Sequence, residues 1–114
     1  MTKQIPPQHL RHLRNDIPIN DVIQHYLDIP TKFREGFLRF LCPVCAEFNT
    51  ATNPATNLAR CFTCSRNFNP IDIVMVVRKC SFLAAVEFIQ NYQHNQSEQQ
   101  KVIAQLIDRL ARLP

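Results

Sequence analysis

The sequence predicts a small α+β protein in which an antiparallel β-sheet is flanked by α-helices. Three observations lead to this prediction. Short apolar and aromatic runs flank the only glycine, helical periodicity dominates both ends of the chain, and two matched cysteine pairs bracket the middle. The 114 residues suffice for one domain with a modest core.

The first two helices are predicted from prolines and apolar spacing. Pro6 and Pro7 suit the first turn of a helix that continues to about residue 14. A second helix is expected over residues 19–27, where apolar side chains recur at helical intervals until Pro30 ends the pattern.

The middle of the chain predicts strands. Residues 33–41 are expected to form two strands with a turn at Gly36, and residues 58–62 can return as another. The stretch between them, residues 48–57, is rich in Asn, Thr and Pro and predicts a loop or an irregular hairpin. A single glycine cannot build a glycine-rich phosphate loop, so that class of nucleotide site is excluded.

Helix-start signals follow the second cysteine pair. Asn69, Pro70 and Asp72 predict a capped helix to about residue 79, and Ser81 caps another to about residue 92. Residues 93–97 are polar and predict a linker. Ser97 and Gln100 resemble a capping box, so the chain is divided into a domain (1–92), a linker (93–97) and a C-terminal helix (98–114).

The C-terminal helix is predicted to be amphipathic. Its apolar stripe consists of Val102, Ile103, Leu106, Ile107, Leu110 and Leu113. Two interpretations stay open. The stripe packs back on the domain and closes a small core, or residues 98–113 dock on a separate catalytic partner or a second copy of the chain.

Two C-x-x-C pairs predict a metal site. Cys42 and Cys45 form the first pair, and Cys61 and Cys64 the second, with fifteen residues between the pairs. Two tight turns of this kind aim four sulfurs at one ion, which predicts one structural Zn²⁺ with no open ligand position. The alternatives are disulfides or a redox pair; the first suits an oxidising compartment and the second a single C-x-x-C. Cys80 is left over and is expected to be a small buried residue.

Basic and aromatic side chains surround the cysteine pairs. The net charge is +4, and only Glu35 and Glu47 oppose the basic residues of this region. The pattern suits single-stranded nucleic acid, because bases stack on aromatic rings while Lys and Arg contact phosphates. The alternative is a solvated charged surface with Phe33 and Phe37 in the core. The candidate contacts are Lys32, Arg34, Phe37, Arg39, Arg60 and Arg66.

Residues 5–92 resemble the N-terminal zinc-binding domain of bacterial DnaG-type DNA primases. The similarity lies in short matches that keep the family's order and spacing. They are Arg14 to Ile17, Val22, Ile23, Tyr26, Leu41 to Pro43, Cys61, Phe62, Cys64, Ile71, Asp72, Val74, Met75, Ser81, Phe82, Ala85 and Val86. The family usually has histidine where Cys45 stands, and cysteine is an equivalent zinc ligand.

The resemblance implies a function in DNA replication. In that family this domain engages the single-stranded DNA template and helps a separate catalytic domain start a primer. Apart from the resemblance, no cluster of carboxylates or activated nucleophile is evident in the sequence, so the chain is expected not to be an enzyme. It looks like a free-standing accessory that acts in trans with a polymerase, primase or helicase, a form that suits plasmids, phages and integrated elements.

Alternatives to this function are a zinc-ribbon adaptor that binds only protein and a transcription regulator that reads duplex DNA. The chain shows neither a secretory signal nor an apolar run of the roughly 20 residues that a membrane span needs. A cytoplasmic location without membrane contact is therefore expected.

Overall fold

The computed structural model describes residues 5–112 and has the predicted α+β architecture. A five-stranded antiparallel sheet has the order β1-β2-β3-β4-β5, so each strand pairs with its predecessor along the chain. The strands are β1 (Thr31–Arg34), β2 (Phe37–Phe40), β3 (Thr50–Asn53), β4 (Leu58–Cys61) and β5 (Asn67–Phe68). Gly36 has φ +80° in the tight turn between β1 and β2, a conformation that glycine adopts without strain.

Four helical segments accompany the sheet. Helix α1 covers Pro7–Asn15, and α2 begins as α-helix over Ile19–Asp21 and continues as π-helix over Val22–Tyr26. The predicted capping box starts α3 (Pro70–Arg78), with the Asp72 N–H 2.7 Å from Asn69 Oδ1 and the Asn69 N–H 3.1 Å from Asp72 Oδ2. Asn69 and Asp72 therefore cap α3 as the sequence predicts.

Helix α4 corrects the prediction of a break at residues 93–97. It is one helix of 30 residues, Phe82–Ala111, which starts where Ser81 Oγ accepts the Ala84 N–H at 3.1 Å. The polar stretch contains Gln, Asn, His and Ser but neither Gly nor Pro, so nothing in it stops helical hydrogen bonding. The division of the chain into domain, linker and tail remains a prediction.

The core lies between one face of the sheet and the helices. Phe40 and Phe68 from the sheet pack with Ile71 of α3 and Ile89 of α4. Buried Asn57, in the turn between β3 and β4, ties this turn to the first two helices. Its Oδ1 accepts the Ile19 N–H at 2.8 Å, and its amide donates to the carbonyls of Arg14 at 2.6 Å and Ile17 at 2.8 Å.

The second half of α4 projects away from this core. Every described residue of its apolar stripe is exposed, from 52% at Leu106 to 67% at Leu110. The expectation that the stripe closes the core is therefore wrong for residues 102–110, and Leu113 lies outside the described residues. None of the helices formed by residues 5–112 combines the length and apolar character needed to span a bilayer.

Candidate zinc centre and nucleic-acid face

The two cysteine pairs form nearly identical turns at one end of the sheet. The first turn lies between β2 and β3, and the second between β4 and β5. In the first, the Cys42 N–H donates to Glu47 O at 2.9 Å and the Ala46 N–H to Cys42 O at 3.0 Å. The second repeats both bonds at 2.9 Å, between the Cys61 N–H and Arg66 O and between the Ser65 N–H and Cys61 O.

The four sulfurs fit a tetrahedral zinc ion. All lie within 4.8 Å of one another, with 3.8 Å between the Sγ atoms of Cys42 and Cys64 and 3.5 Å between those of Cys45 and Cys61. Zn–S bonds of about 2.3 Å in a tetrahedron require sulfur separations of about 3.8 Å. All five cysteines are free thiols, and half-buried Cys80 stands apart from the tetrad. The set would fill all four ligand positions, which is the pattern of structural zinc.

The surroundings of the thiols give Cys61 and Cys45 different pKa values. Burial raises the pKa of Cys61, but N–H···S bonds from the backbone of Cys64 and Thr63 outweigh it and lower this pKa to about 6. The backbone N–H of Glu47 lowers the pKa of Cys45, yet burial and the other three thiols raise it to about 12. Zinc binds thiolates, so its binding releases the protons that these sulfurs hold.

One row of side chains crosses the whole outer face of the sheet. The strand register pairs Lys32 with Arg39, Arg39 with Ala51, Ala51 with Arg60 and Arg60 with Asn67. Cross-strand partners project from the same face, so three cations lie in one line across the strands. The next row on this face contains Arg34 opposite Phe37. The opposite face carries Phe40, Ala59 and other buried residues.

The structure thus brings five of the six predicted contact residues to one face. They are Lys32, Arg34, Phe37, Arg39 and Arg60. Arg66 is exposed but lies in the turn before β5, outside the strand register that defines the face. The alternative that buries Phe33 and Phe37 is wrong, since these side chains are 69% and 47% exposed. Phe33 lies on the opposite side of edge strand β1 from the basic row, in register with Leu38.

Sequence reasoning missed several residues of this face. Phe62, Leu58, Asn53 and Asn67 line, together with Phe37, Arg39 and Arg60, a depression of about 380 Å³ over Ala51. Phe62 is 59% exposed although it lies between two metal ligands. Period-two alternation from Arg60 could have identified both Leu58 and Phe62, because residues two apart in a strand share a face.

A closed tetrad of cysteines on two turns at one end of an antiparallel sheet defines a zinc ribbon with a structural metal site. Within this class, the family of CHC2 zinc fingers of the DnaG zinc-ribbon type matches residues 5–105. The chain belongs to this family, and the resemblance to primase zinc domains is confirmed. The match extends from α1 well into the exposed half of α4. No curated protein matches the chain closely enough to count as a relative.

Proposed function

We propose that this chain binds single-stranded DNA template on the outer face of its sheet and assists primer synthesis during DNA replication, without catalysing it. The observation that carries the proposal is the row of Lys32, Arg39 and Arg60 across the strands, bordered by exposed aromatic side chains. Membership of a primase zinc-finger family supports DNA as the ligand.

The cations of this row are free to exchange their present partners for phosphate. Arg39 pairs with Glu35 at 3.2 Å, and the Glu35 side chain is 81% exposed. The Arg39 side chain is only 25% exposed, but the solvent around Glu35 screens the pair, so its contribution is on the order of 1 kcal/mol. Arg60 donates to the neutral amide oxygen of Asn67 at 3.2 Å, which leaves its charge uncompensated. A polyanion can therefore bind these two arginines with little loss of their existing interactions.

The exposed rings favour single strands over duplex DNA. Phe37 and Phe62 present apolar surface beside the basic row. A base can stack on such a ring only when it has left its own stack, which single strands permit and duplexes resist. The same face therefore supports template binding better than the reading of a closed double helix.

The exposed stripe of α4 supports attachment to a separate catalytic protein. Its exposed apolar side chains are Val102, Ile103, Leu106, Ile107 and Leu110. The acidic residues Glu98 and Asp108 already pair with Lys101 and Arg112. The occupant we assign is the polymerase of a primase, or the helicase that accompanies it, because the family is that of primase zinc fingers. Such an attachment raises the effective concentration of a weak template-binding module.

Fluorescence anisotropy with labelled single-stranded oligonucleotides tests DNA binding. We expect the variant R39A/R60A to weaken binding by about tenfold or more and to flatten the dependence on salt, since each lost phosphate contact removes about one unit of slope. The matched control R11A/R14A removes the same charge from exposed positions of α1 and should bind like wild type. Unchanged binding by R39A/R60A, or tighter binding to duplex than to single strands, contradicts the proposal.

Primer synthesis by a purified primase polymerase domain or co-purification with a purified helicase tests the attachment. The variant L106Q/L110Q keeps the helix but removes apolar surface, so we expect it to lose partner binding while still binding DNA. The control A104Q/A111Q changes exposed residues outside the stripe. A stripe that instead forms a dimer of the chain in sedimentation, or that contacts neither partner, overturns this part of the proposal.

A further inference from the structure

The basic row has a gap at its centre. Ala51 lies between Arg39 and Arg60 in the strand register, and its methyl group forms the floor of the depression of about 380 Å³. Neighbouring strands lie about 4.8 Å apart, so the backbones of the two arginines are about 10 Å apart across β3. A flat ring with van der Waals contact on both sides needs about 7 Å. The gap therefore accommodates one planar ring.

The ends of the gap are apolar. Phe37 and Leu58 border it on the side of the β3–β4 turn, and Phe62 borders it on the side of the zinc centre. All three side chains are exposed, so a planar ring that enters would cover apolar surface now in contact with water. A phosphate would gain nothing from these walls. An aromatic base therefore suits the centre of the face better than a backbone phosphate does.

Two groups beside the gap are available as donors. The Asn53 Oδ1 accepts the backbone N–H of Ala55 at 3.0 Å, which fixes the orientation of this amide and leaves its NH₂ group free to donate. The Nε of Arg39 is a further buried donor without a hydrogen-bond partner among the described residues. A ligand that completes this set must offer acceptors.

Given the DNA binding proposed above, on which this step rests, we infer that the gap over Ala51 is a pocket for one nucleobase of the template and that it prefers keto bases. Thymine offers its O2 and O4 acceptors, and guanine its O6 and N7 acceptors. Adenine would place its N6 amino group against donors of the pocket, which leaves them unsatisfied. The arginines on either side then hold the flanking phosphates. The pocket therefore selects the base, and the basic row holds the DNA backbone.

The test uses oligonucleotides of about 12 abasic deoxyribose units with one central base, so phosphate contacts stay constant while the base varies. Anisotropy should show that central thymine or guanine strengthens binding about tenfold over the fully abasic strand, and central adenine at most about threefold. The variant A51L fills the gap and should abolish the gain while keeping the salt dependence of the abasic strand. The control A55L adds the same bulk in the exposed turn and should keep the gain.

A second variant tests the donor pattern. In N53D a carboxylate oxygen still accepts the Ala55 N–H, but the donor is replaced by an acceptor, so the ratio of thymine to adenine affinity should fall about tenfold. Equal binding of abasic and base-containing strands overturns the pocket and leaves the DNA-binding face standing. An equal gain for all four bases overturns the keto preference. Failure to bind any single strand overturns the proposed function and the pocket with it.

Discussion

The two halves of helix α4 each carry an apolar stripe, but only the stripe of the first half is covered by the rest of the fold. Residues 82–92 bury Ala85, Val86 and Ile89 beside α3, each at most 1% exposed. Residues 98–111 carry an equally regular apolar stripe, yet its residues are at least half exposed. Both halves belong to one unbroken helix. Helical periodicity therefore predicts which face of a helix is apolar. Whether that face is buried depends on the rest of the fold or on a partner.

Removal of the metal should have the largest effect on stability, because the buried half of α4 packs on a core that includes the zinc ribbon. Structural zinc contributes on the order of 10 kcal/mol, comparable to the whole stability of a small domain. We expect C61S to lose zinc by metal analysis and to lose most strand and helix signal in circular dichroism. The exposed half should melt too, since an isolated helix of this length is marginal in water.

Cys80→Ser provides the control for this variant. Cys80 is half-buried and lies outside the tetrad, so C80S should keep zinc and lower the melting temperature by only a few degrees. Wild-type melting behaviour of C61S, or an equal loss of zinc in both variants, would contradict a structural zinc site.

Acid should weaken zinc binding. The pKa of Cys45 is raised to about 12 and that of Cys64 is also raised, so both thiols hold protons at neutral pH and lose them when zinc binds. Protons therefore compete with the metal, and affinity should fall by at least about a hundredfold for each pH unit of acidification near neutrality, since these two thiols alone release two protons. The Cys61 pKa of about 6 adds a further proton only below that pH. Chelator competition at several pH values measures this slope, and a flat profile would refute it.

A matched pair of truncations measures the difference between the halves of α4 directly. Ile89 is fully buried and Ile103 is 55% exposed on the same helix. We expect I89A to lower the free energy of unfolding by about 2–5 kcal/mol, because it leaves a cavity in the core. I103A should change it by less than about 0.5 kcal/mol. Chemical denaturation of both variants gives the comparison, and equal losses would mean that the stripe is part of the core after all.

The residue that follows each cysteine pair should have a smaller effect on stability than Ile89. Ala46 and Ser65 have φ +60° and +63°, a left-handed conformation that costs non-glycine residues roughly 1–2 kcal/mol. Replacing either by Gly should therefore raise stability by about 1 kcal/mol, or several degrees in melting temperature. A55G is the control, since Ala55 has no positive φ, and it should stabilise nothing. Destabilisation by A46G and S65G would argue against this conformation.

Local chemistry explains which features could be predicted from the sequence. The cysteine tetrad and the capping box of Asn69 and Asp72 each depend on side chains a few residues apart, so spacing alone indicates them. The basic row could be predicted as a set of residues but not as a line, because its order follows from the register of paired residues that are 7–12 positions apart in the sequence. Strand β5 has only two residues, too few for a detectable alternation.

The sequence-based predictions that failed concern features that depend on residues far apart in the chain. Residues 93–97 are polar because they lie beyond the core, and the same polarity that suggests a linker is compatible with an exposed helix. Asn57 has a turn-like sequence context, but its three hydrogen bonds reach residues about forty positions away. Neither the continuity of α4 nor this anchor leaves a local signal.

We propose that the sheet face, and not the exposed half of α4, contacts the template. An NMR titration of the zinc-loaded protein with a single-stranded oligonucleotide tests it most directly, because each backbone amide reports separately. We predict that shifts concentrate at Arg39, Ala51, Arg60 and Phe62, while residues 98–111 stay unchanged and remain free for a protein partner. Shifts confined to α4, or no shifts at a saturating concentration of the oligonucleotide, would contradict the account.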